Sequence, residues 1–513
     1  MRSPSRFSVK LRAPIALALA YLASRLAYYL AGVRLSTIGL VDHQYPQQLD
    51  LPLLKAHLAQ SIWHLQSQPP LFNLATGILL KLPMGTQQPI VVIGMMALGL
   101  CMVLSCYYLC LELGLPGWLA IVVTMLVILD PAYVLFENLF FYTYPTAVMV
   151  TLAALSIARY SRTRRHGWGL LFFSSVAIVI LLNSTFQWMW MVLSIVPVVL
   201  LLRRDWRSVA TVALVPLLVV ALWYAKNAVM FSTYSTSSWL GMNAEKITTA
   251  QESPSELRTL INEGVLTPIA ALPAFFSDIP AYVPRFVDHK PTGVPALDEE
   301  SKHDGTPNFN NIDIVAISNE YLKNDLRFIA ARPATYARSV GRAYTLFMVP
   351  SDQYFISWQN ATHFIPYLRA YDLLVEGQIY GTNIETMYKD ASQSASPGIA
   401  HIGVVVVLEM VAAVVLLPIV AWRRRRDRVF LIATGYIWVT SCYVMVVTNF
   451  VELGENNRFR FDLGPLPLVA LAVVTLAVVR HLRSTAVQAA TRGDEPSTAA
   501  PGEAPAPEVS AQV

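Results

Sequence analysis

The chain is poor in charge. Of its 513 residues only 14% are Asp, Glu, Lys or Arg, while 55% are hydrophobic; a soluble globular chain carries roughly 25% charged residues. An ordinary soluble domain is therefore excluded. Cysteine is scarce too: Cys101, Cys106, Cys110 and Cys442 all sit inside apolar runs, so neither a disulfide framework nor a CxxC metal site is implied. There is no Walker loop, Rossmann glycine pattern, HExxH or GxSxG, and no nucleotide site is evident. The net charge of +5 is not a nucleic-acid signal, because the arginine clusters abut apolar runs, where membrane topology accounts for them.

What the chain has in quantity is apolar runs of about 20 residues, each long enough to cross ~30 Å of hydrocarbon. They predict spans at 13–32, 89–112, 116–134, 145–158, 170–182, 188–202, 208–231, 399–422, 429–450 and 465–479. The first lacks a small-residue cleavage site and reads as a signal anchor. Basic residues mark the joints: Arg2, Arg6, Lys10 and Arg12; Arg159, Arg162, Arg164 and Arg165; Arg203, Arg204 and Arg207; Arg423 to Arg426 with Arg428; Arg480 and Arg483. If Lys and Arg mark the cytoplasm, these clusters agree only with about ten spans and both termini inside. The apolar stretch 70–82 is short for a crossing, and counting it would invert the cluster at 162–165, so it is expected to lie on the outer face as a membrane-lying helix.

The expected fold is thus an all-α polytopic membrane protein of about ten transmembrane helices. Residues 1–230 form an N-terminal transmembrane module whose first outer loop is functional, and 231–398 a large extracytoplasmic region. Residues 399–483 form the C-terminal transmembrane helices, and 484–513 a disordered cytoplasmic tail rich in Ala, Pro, Glu and Thr. The long region is far beyond an ordinary connection, which marks it as functional. It has Pro and Gly punctuation up to about Asn311, then a helical pattern from Ile312 to Met348 interrupted at Pro333.

Polar residues outside the arginine clusters collect on the outer face. In DLPLLKAHLAQSIWHLQSQPPLFNL (50–74), Asp50, His57 and His64 recur every seven residues and would share one helical face. Asp50 is a candidate general base for a hydroxyl nucleophile. It also precedes a helix with Pro52 in its first turn, an N-cap arrangement that is compatible with catalysis. His57 and His64 read first as interfacial polar groups. Glu137 lies in FENLFFYTYP between two apolar spans, with Tyr142 and Tyr144 beside it; a carboxylate among membrane helices is costly unless paired or functional.

The basic candidates follow. WYAKNAVMF puts Lys226 and Asn227 where the seventh span emerges, and ENNRFRF puts Arg458 and Arg460 just before the last span. Positive charge outside runs against the loop bias. A phosphate partner explains it, since guanidinium binds phosphate well; so does an ion pair of Arg458 with Glu455 at helical spacing, or snorkelling for Lys226. Arg25, mid-way along the first span, faces the bundle interior or snorkels. The stretch 291–311, with Asp298, His303 and Asp304, lacks metal-ligand spacing and reads as a loop.

Taken in order, a basic N-terminus, one span, an outer loop with an acid and SQPPLFNL (67–74), an acid-bearing outer turn two spans later and a late arginine loop resemble the glycosyltransferase C superfamily. The closest pattern is its bacterial branch of protein O-mannosyltransferases and aminoarabinose transferases. The resemblance covers the organisation of about the first 160 residues and ENNRFRF. There are two departures: the acids Asp42 and Asp50 are not adjacent, leaving either open as the base, and Gln68 stands before the prolines where some relatives have Lys. The resemblance implies inverting sugar transfer from a polyprenyl-phosphate carrier to an envelope acceptor, with membrane lipid the other partner and no nucleic acid. Asp50 would be the base and Glu137 a second acid orienting the acceptor or a divalent metal. Asp42, His64, Gln68, Tyr142, Tyr144, Lys226, Asn227, Arg458 and Arg460 would face the substrate. A transporter or flippase of an envelope precursor is the alternative, and would show inverted repeats and broken helices at mid-membrane; a non-catalytic relative in envelope assembly is another.

Overall fold

A computed structural model describes residues 6–36, 38–40, 44–202, 205–286, 290–378 and 401–493. Among them no strand forms, only helices, turns and isolated bridges. Six helices are long and apolar enough to cross a membrane: Arg12–Leu30, Gln87–Glu112, Trp206–Phe231, Val404–Arg423, Arg428–Val451 and Leu466–Ala486. The chain is an all-helical, multi-pass membrane protein.

A straight span over 116–134 does not form. The helix Gly117–Leu129 stops at Asp130 and turns by 54° into the short helix Pro131–Glu137. Pro131 forces the residue before it out of the helical region: Asp130 sits at φ −64°, ψ 122°, and its carboxylate caps the new helix at the Ala132 amide, 2.7 Å away.

Thr143–Thr163 has the length of a span but less apolar character, because protein rather than lipid surrounds it. It packs against Gln87–Glu112, His166–Leu182 and Arg428–Val451. Its buried positions include Ala147, Thr151, Ala153, Ala154, Ser156 and Ala158, small residues of the kind that let membrane helices approach closely. The hydroxyls of Thr146 and Thr151 donate to carbonyls four residues back, at 2.7 and 2.8 Å, so these two hydroxyls are satisfied within the helix. The last helix, Leu466–Gly493, continues past position 484, where a disordered tail was expected; 494–513 lie outside the described residues.

The two ends of the bundle differ in chemistry. At one, Arg159 and Arg162 pair with Glu112, and Arg164 with Asp205. At the other, residues 130–143, 183–188 and 349–378 meet the 452–464 turn, as when Asn183 donates to Asp462, Arg458 to Thr143 and Ser351 to the Asn457 carbonyl. On this loop end sits most of the 232–378 region. Helices Asp313–Ala331 and Pro333–Phe347 are its main elements, broken at Pro333. Trp239, Met242, Ile279, Tyr282, Phe309 and Tyr321 form a small hydrophobic core of its own.

Candidate functional site

The loop end is organised around Asp50. Asn73, from the SQPPLFNL turn, holds the backbone just before it: its side chain accepts from the Leu49 amide at 2.7 Å and donates to the Gln47 carbonyl at 3.0 Å. Asp50 then precedes the helix Leu51–Ala56 with Pro52 in the first turn, but its carboxylate makes no capping bond. Nor do Asp50, His57 and His64 share a face. The stretch forms two short helices, Leu51–Ala56 and Leu58–Trp63, broken at His57 with φ −127°. His57 is exposed, and the His64 ring turns back to the Gln60 carbonyl at 2.9 Å. Pro52 and a six-residue reach are too little to hold one continuous helix against the packing of Leu54 and Leu65 into the bundle.

Asp50 is buried, with 7% of its surface exposed. Its Oδ1 meets the His303 ring Nδ1 at 2.6 Å, the His303 amide at 3.2 Å and the Gln44 Nε2 at 3.3 Å. His303 comes from the long region, in a stretch whose sequence reads only as a loop. That loop is rigid. Lys302 N donates to the Thr306 carbonyl at 2.8 Å, Gly305 supplies a φ of +80° that only glycine adopts freely, and Asp304 Oδ1 accepts from both the amide and hydroxyl of Thr306.

The loop is also pinned to the first one at several points. Lys302 Nζ donates to the Tyr45 carbonyl at 2.9 Å, and Asp304 Oδ2 accepts from the Gln44 amide at 3.3 Å. Burial pulls the Lys302 ammonium down to about 8, against the opposing pull of Asp304 and Asp50. Asn310 Oδ1 accepts from the amides of Gln66 and Ser67 at 2.9 and 3.1 Å.

The other expected residues divide among three settings. Gln68 is buried beside this clamp. Lys226, 7% exposed, donates to the Leu65 carbonyl at 2.6 Å and lies over the Trp223 ring, so it is tied to the backbone just before the prolines. Its neighbour Asn227 binds the Ser235 carbonyl at 2.7 Å and shapes the turn that follows. An aromatic layer leads onward. Tyr45, next to the clamp, packs on Phe141, and Phe141 on Tyr142, with ring centroids 4.8 and 4.1 Å apart. Arg458 lies over both Phe141 and Tyr142. Its guanidinium pairs with Glu455 at 2.6 Å and donates to Thr143 at 3.2 Å, so the ion pair that its spacing allowed is formed. Burial alone would raise Glu455; Arg458 and Lys246 outweigh it and hold that carboxyl below its ordinary value.

Glu137 occupies a second setting, inside the bundle. Rather than standing open to an acceptor or a metal, its carboxylate takes Arg25 Nη2 at 2.9 Å, Arg25 Nε at 3.0 Å, Tyr21 at 3.0 Å and Tyr144 at 2.9 Å. A cavity of about 230 Å³ adjoins the pair. Two lone membrane charges of opposite sign, Arg25 and Glu137, were the signal in the sequence that they pair. Arg460 occupies a third setting. It donates to the Val349 carbonyl and the Ser351 hydroxyl, both at 2.9 Å, and lines a cavity of about 200 Å³ with Asp130, Glu376 and Glu409.

Comparison with known families, characterised proteins and solved structures finds no match. The chemistry available is therefore that of the residues themselves. Among the described residues no group of three or more His, Cys, Asp or Glu is arranged to hold a metal ion. Asp42 lies outside the described residues. What remains is a buried carboxylate paired with a half-exposed imidazole, at the polar end of an apolar bundle, with Lys302, Lys226 and Arg458 in the structure around it. That arrangement can accept a proton from a hydroxyl. His303, Lys302 and Asn73 carry it, and sequence reading passed over all three. A Lys-His-Asp-Gly run inside a long polar insertion was the only hint.

Proposed function

We propose that the protein is a membrane glycosyltransferase. It moves a sugar, with inversion, from a polyprenyl-phosphate carrier to a hydroxyl of an envelope glycan, lipid or protein. Both termini and the arginine end are cytoplasmic by the positive-inside bias, the chain crosses about ten times, and the loop end is extracytoplasmic. The observation that carries this reading is the Asp50–His303 contact of 2.6 Å, made by two segments about 250 residues apart in sequence, at the mouth of an apolar bundle. A donor with a polyprenyl tail needs hydrocarbon beside the reacting sugar, and a hydroxyl acceptor needs a base at that boundary. The leaving phosphate needs cations, for which Lys226, Lys302 and Arg458 are the candidates, Arg460 lining a separate cavity. Glu137 we assign to the architecture, because its lone pairs are already taken.

The resemblance of the SQPPLFNL turn to the glycosyltransferase C superfamily supports the same reading. Here the turn supplies Asn73, which sets the backbone before Asp50. The test uses detergent-solubilised full-length protein and a panel of radiolabelled polyprenyl-phosphoryl hexoses. Loss of label from the organic phase should be seen with the wild type, and should fall about 10²-fold or more in Asp50→Asn. Absence of transfer from every donor to envelope extract would overturn the reading.

A further inference from the structure

The pair at Asp50 holds two candidate bases, and the geometry separates them. Asp50 is 9% exposed in its side chain; the His303 ring is 48% exposed. Two donors of His303, its ring and its amide, converge on Asp50 Oδ1. An oxygen already engaged by donors and buried from solvent has little room for an incoming hydroxyl. The ring contacts among the described residues fall on Nδ1, to Asp50 at 2.6 Å and to Gln44 at 2.7 Å. The short contact to a carboxylate fixes the proton on Nδ1, because two acceptors do not approach to 2.6 Å. With the proton on Nδ1, the Gln44 side chain presents its oxygen rather than its nitrogen to the ring and so donates nothing to Asp50; the orientation of a Gln amide is assigned from its hydrogen-bond network. With Nδ1 protonated, the lone pair of a neutral imidazole is on Nε2.

We infer that His303, presented by the long region, is the proton acceptor of the transfer, and that Asp50 is its positioning residue. The inference rests on the glycosyltransferase reading above. In the step, the acceptor oxygen bonds to the anomeric carbon while the bond from that carbon to the phosphate oxygen breaks. The electron pair leaves on the polyprenyl phosphate. The hydroxyl proton passes to His303 Nε2, and the imidazolium so formed is stabilised by Asp50 until it loses the proton to water. No further reactant is needed. Asp50 is held in register by Asn73 on one side, and His303 by the Lys302–Thr306 and Asp304–Thr306 bonds on the other, so the pair is set before substrate arrives.

Asp50 is the ionisable group against the ring; Glu299 and Lys302 lie in the field of Asp50, and Asp304 in that of Lys302. His303→Asn is the informative variant, since the Asn amide keeps a donor near the position of Nδ1 and lacks the base. With the same polyprenyl-phosphoryl hexoses, kcat should fall about 10²- to 10⁴-fold in His303→Asn with KM little changed. Asp50→Asn should fall comparably, and the double variant no further than the worse single one, as groups acting as a unit do. A His303→Asn enzyme that keeps its kcat, while Asp50→Asn is dead, overturns the inference and leaves the glycosyltransferase reading standing with Asp50 as base. If the wild type transfers nothing, that reading fails, and the pair is read by carbethoxylation at pH 8 followed by mass spectrometry. Asp50→Asn should slow labelling of His303 several-fold relative to exposed His481; equal labelling in both proteins overturns the pairing itself.

Discussion

Replacing Arg25 by Met tests the intramembrane pair most directly. Arg25 and Glu137 are 8% and 4% exposed, and the guanidinium meets the carboxylate through Nε and Nη2 while Nη1 reaches the Ile128 carbonyl at 3.0 Å. The variant leaves a buried carboxylate with only the Tyr21 and Tyr144 hydroxyls. Breaking a buried pair from one side costs about 3–5 kcal/mol, whereas replacing both partners by apolar groups is often neutral or stabilising. Glu137→Leu alone should cost as much as Arg25→Met, and the double variant should recover most of the loss, giving a coupling of about 5 kcal/mol or more. The assay is thermal denaturation of the detergent-solubilised protein followed by size-exclusion chromatography. Two near-neutral singles, or a double variant as unstable as the sum, would refute the reasoning. The same proteins sort the role of Glu137: a stable double variant that still transfers sugar confines it to architecture, and a stable but inactive one returns it to the chemistry. Gly99 belongs to this cluster, because a Cβ there would sit 2.7 Å from the Tyr144 hydroxyl and 2.8 Å from Glu137 Oε2.

Three further outcomes are expected. Gly241→Ala should destabilise the long region by about 1–3 kcal/mol or more, because its Cβ would strike the Ser318 carbonyl and Leu322 amide on the rigid backbone of Asp313–Ala331; limited proteolysis of that region should quicken, and unchanged cleavage would count against the close crossing. Burial raises the Asp325 carboxyl to about 8, opposed by the Thr248 hydroxyl, and Glu245 to about 7. The folded chain thus keeps protons that the unfolded chain sheds near pH 4, and stability should fall as pH rises from about 4 to 8. Asp325→Asn should lessen that fall, read as the difference in melting temperature between pH 5.5 and 8, and an unaltered slope would refute the assignment. Asn310→Ala strands the buried Gln66 and Ser67 amides, each worth about 1–3 kcal/mol when unsatisfied; hydrogen exchange in 295–311 should rise, and undisturbed protection would show that the clamp is not what holds the loop.

The helical, membrane-spanning character was legible because it rests on local composition: runs of about 20 apolar residues announce themselves without partners. The break at Pro333 was legible for the same reason. The bend at Asp130–Pro131 was written in the sequence as a capping residue before a proline, yet the apolar run hid it. Asp50 was singled out, but its neighbours were misread. A spacing of seven implies one face only if the helix is continuous, and His57 interrupts it. The partner of Asp50 could not be read at all, since nothing local links position 50 to 303. Arg25 with Glu137 is intermediate: the cost of a lone charge in hydrocarbon predicts a partner of opposite sign, and few candidates existed.

The distance in sequence between Asp50 and His303 has a consequence for how the site comes into being. Residues 44–74 are ordered on the bundle by Asn73, Lys226 and the aromatic layer, but the imidazole arrives only when 295–311 docks. That docking is made of hydrogen bonds to backbone groups, through Lys302 to Tyr45, Asp304 to Gln44, and Asn310 to His64, Gln66 and Ser67. Backbone contacts of this kind tolerate side-chain change in the first loop while holding the 2.6 Å pairing fixed. On the proposed reading, the long region is part of the proton-accepting apparatus as well as the natural place to read an acceptor. If a chain truncated after Phe231 and co-expressed with 232–513 reassembles, it should regain transfer only when Asn310 and Lys302 are intact, because their contacts and not chain continuity bring His303 to Asp50.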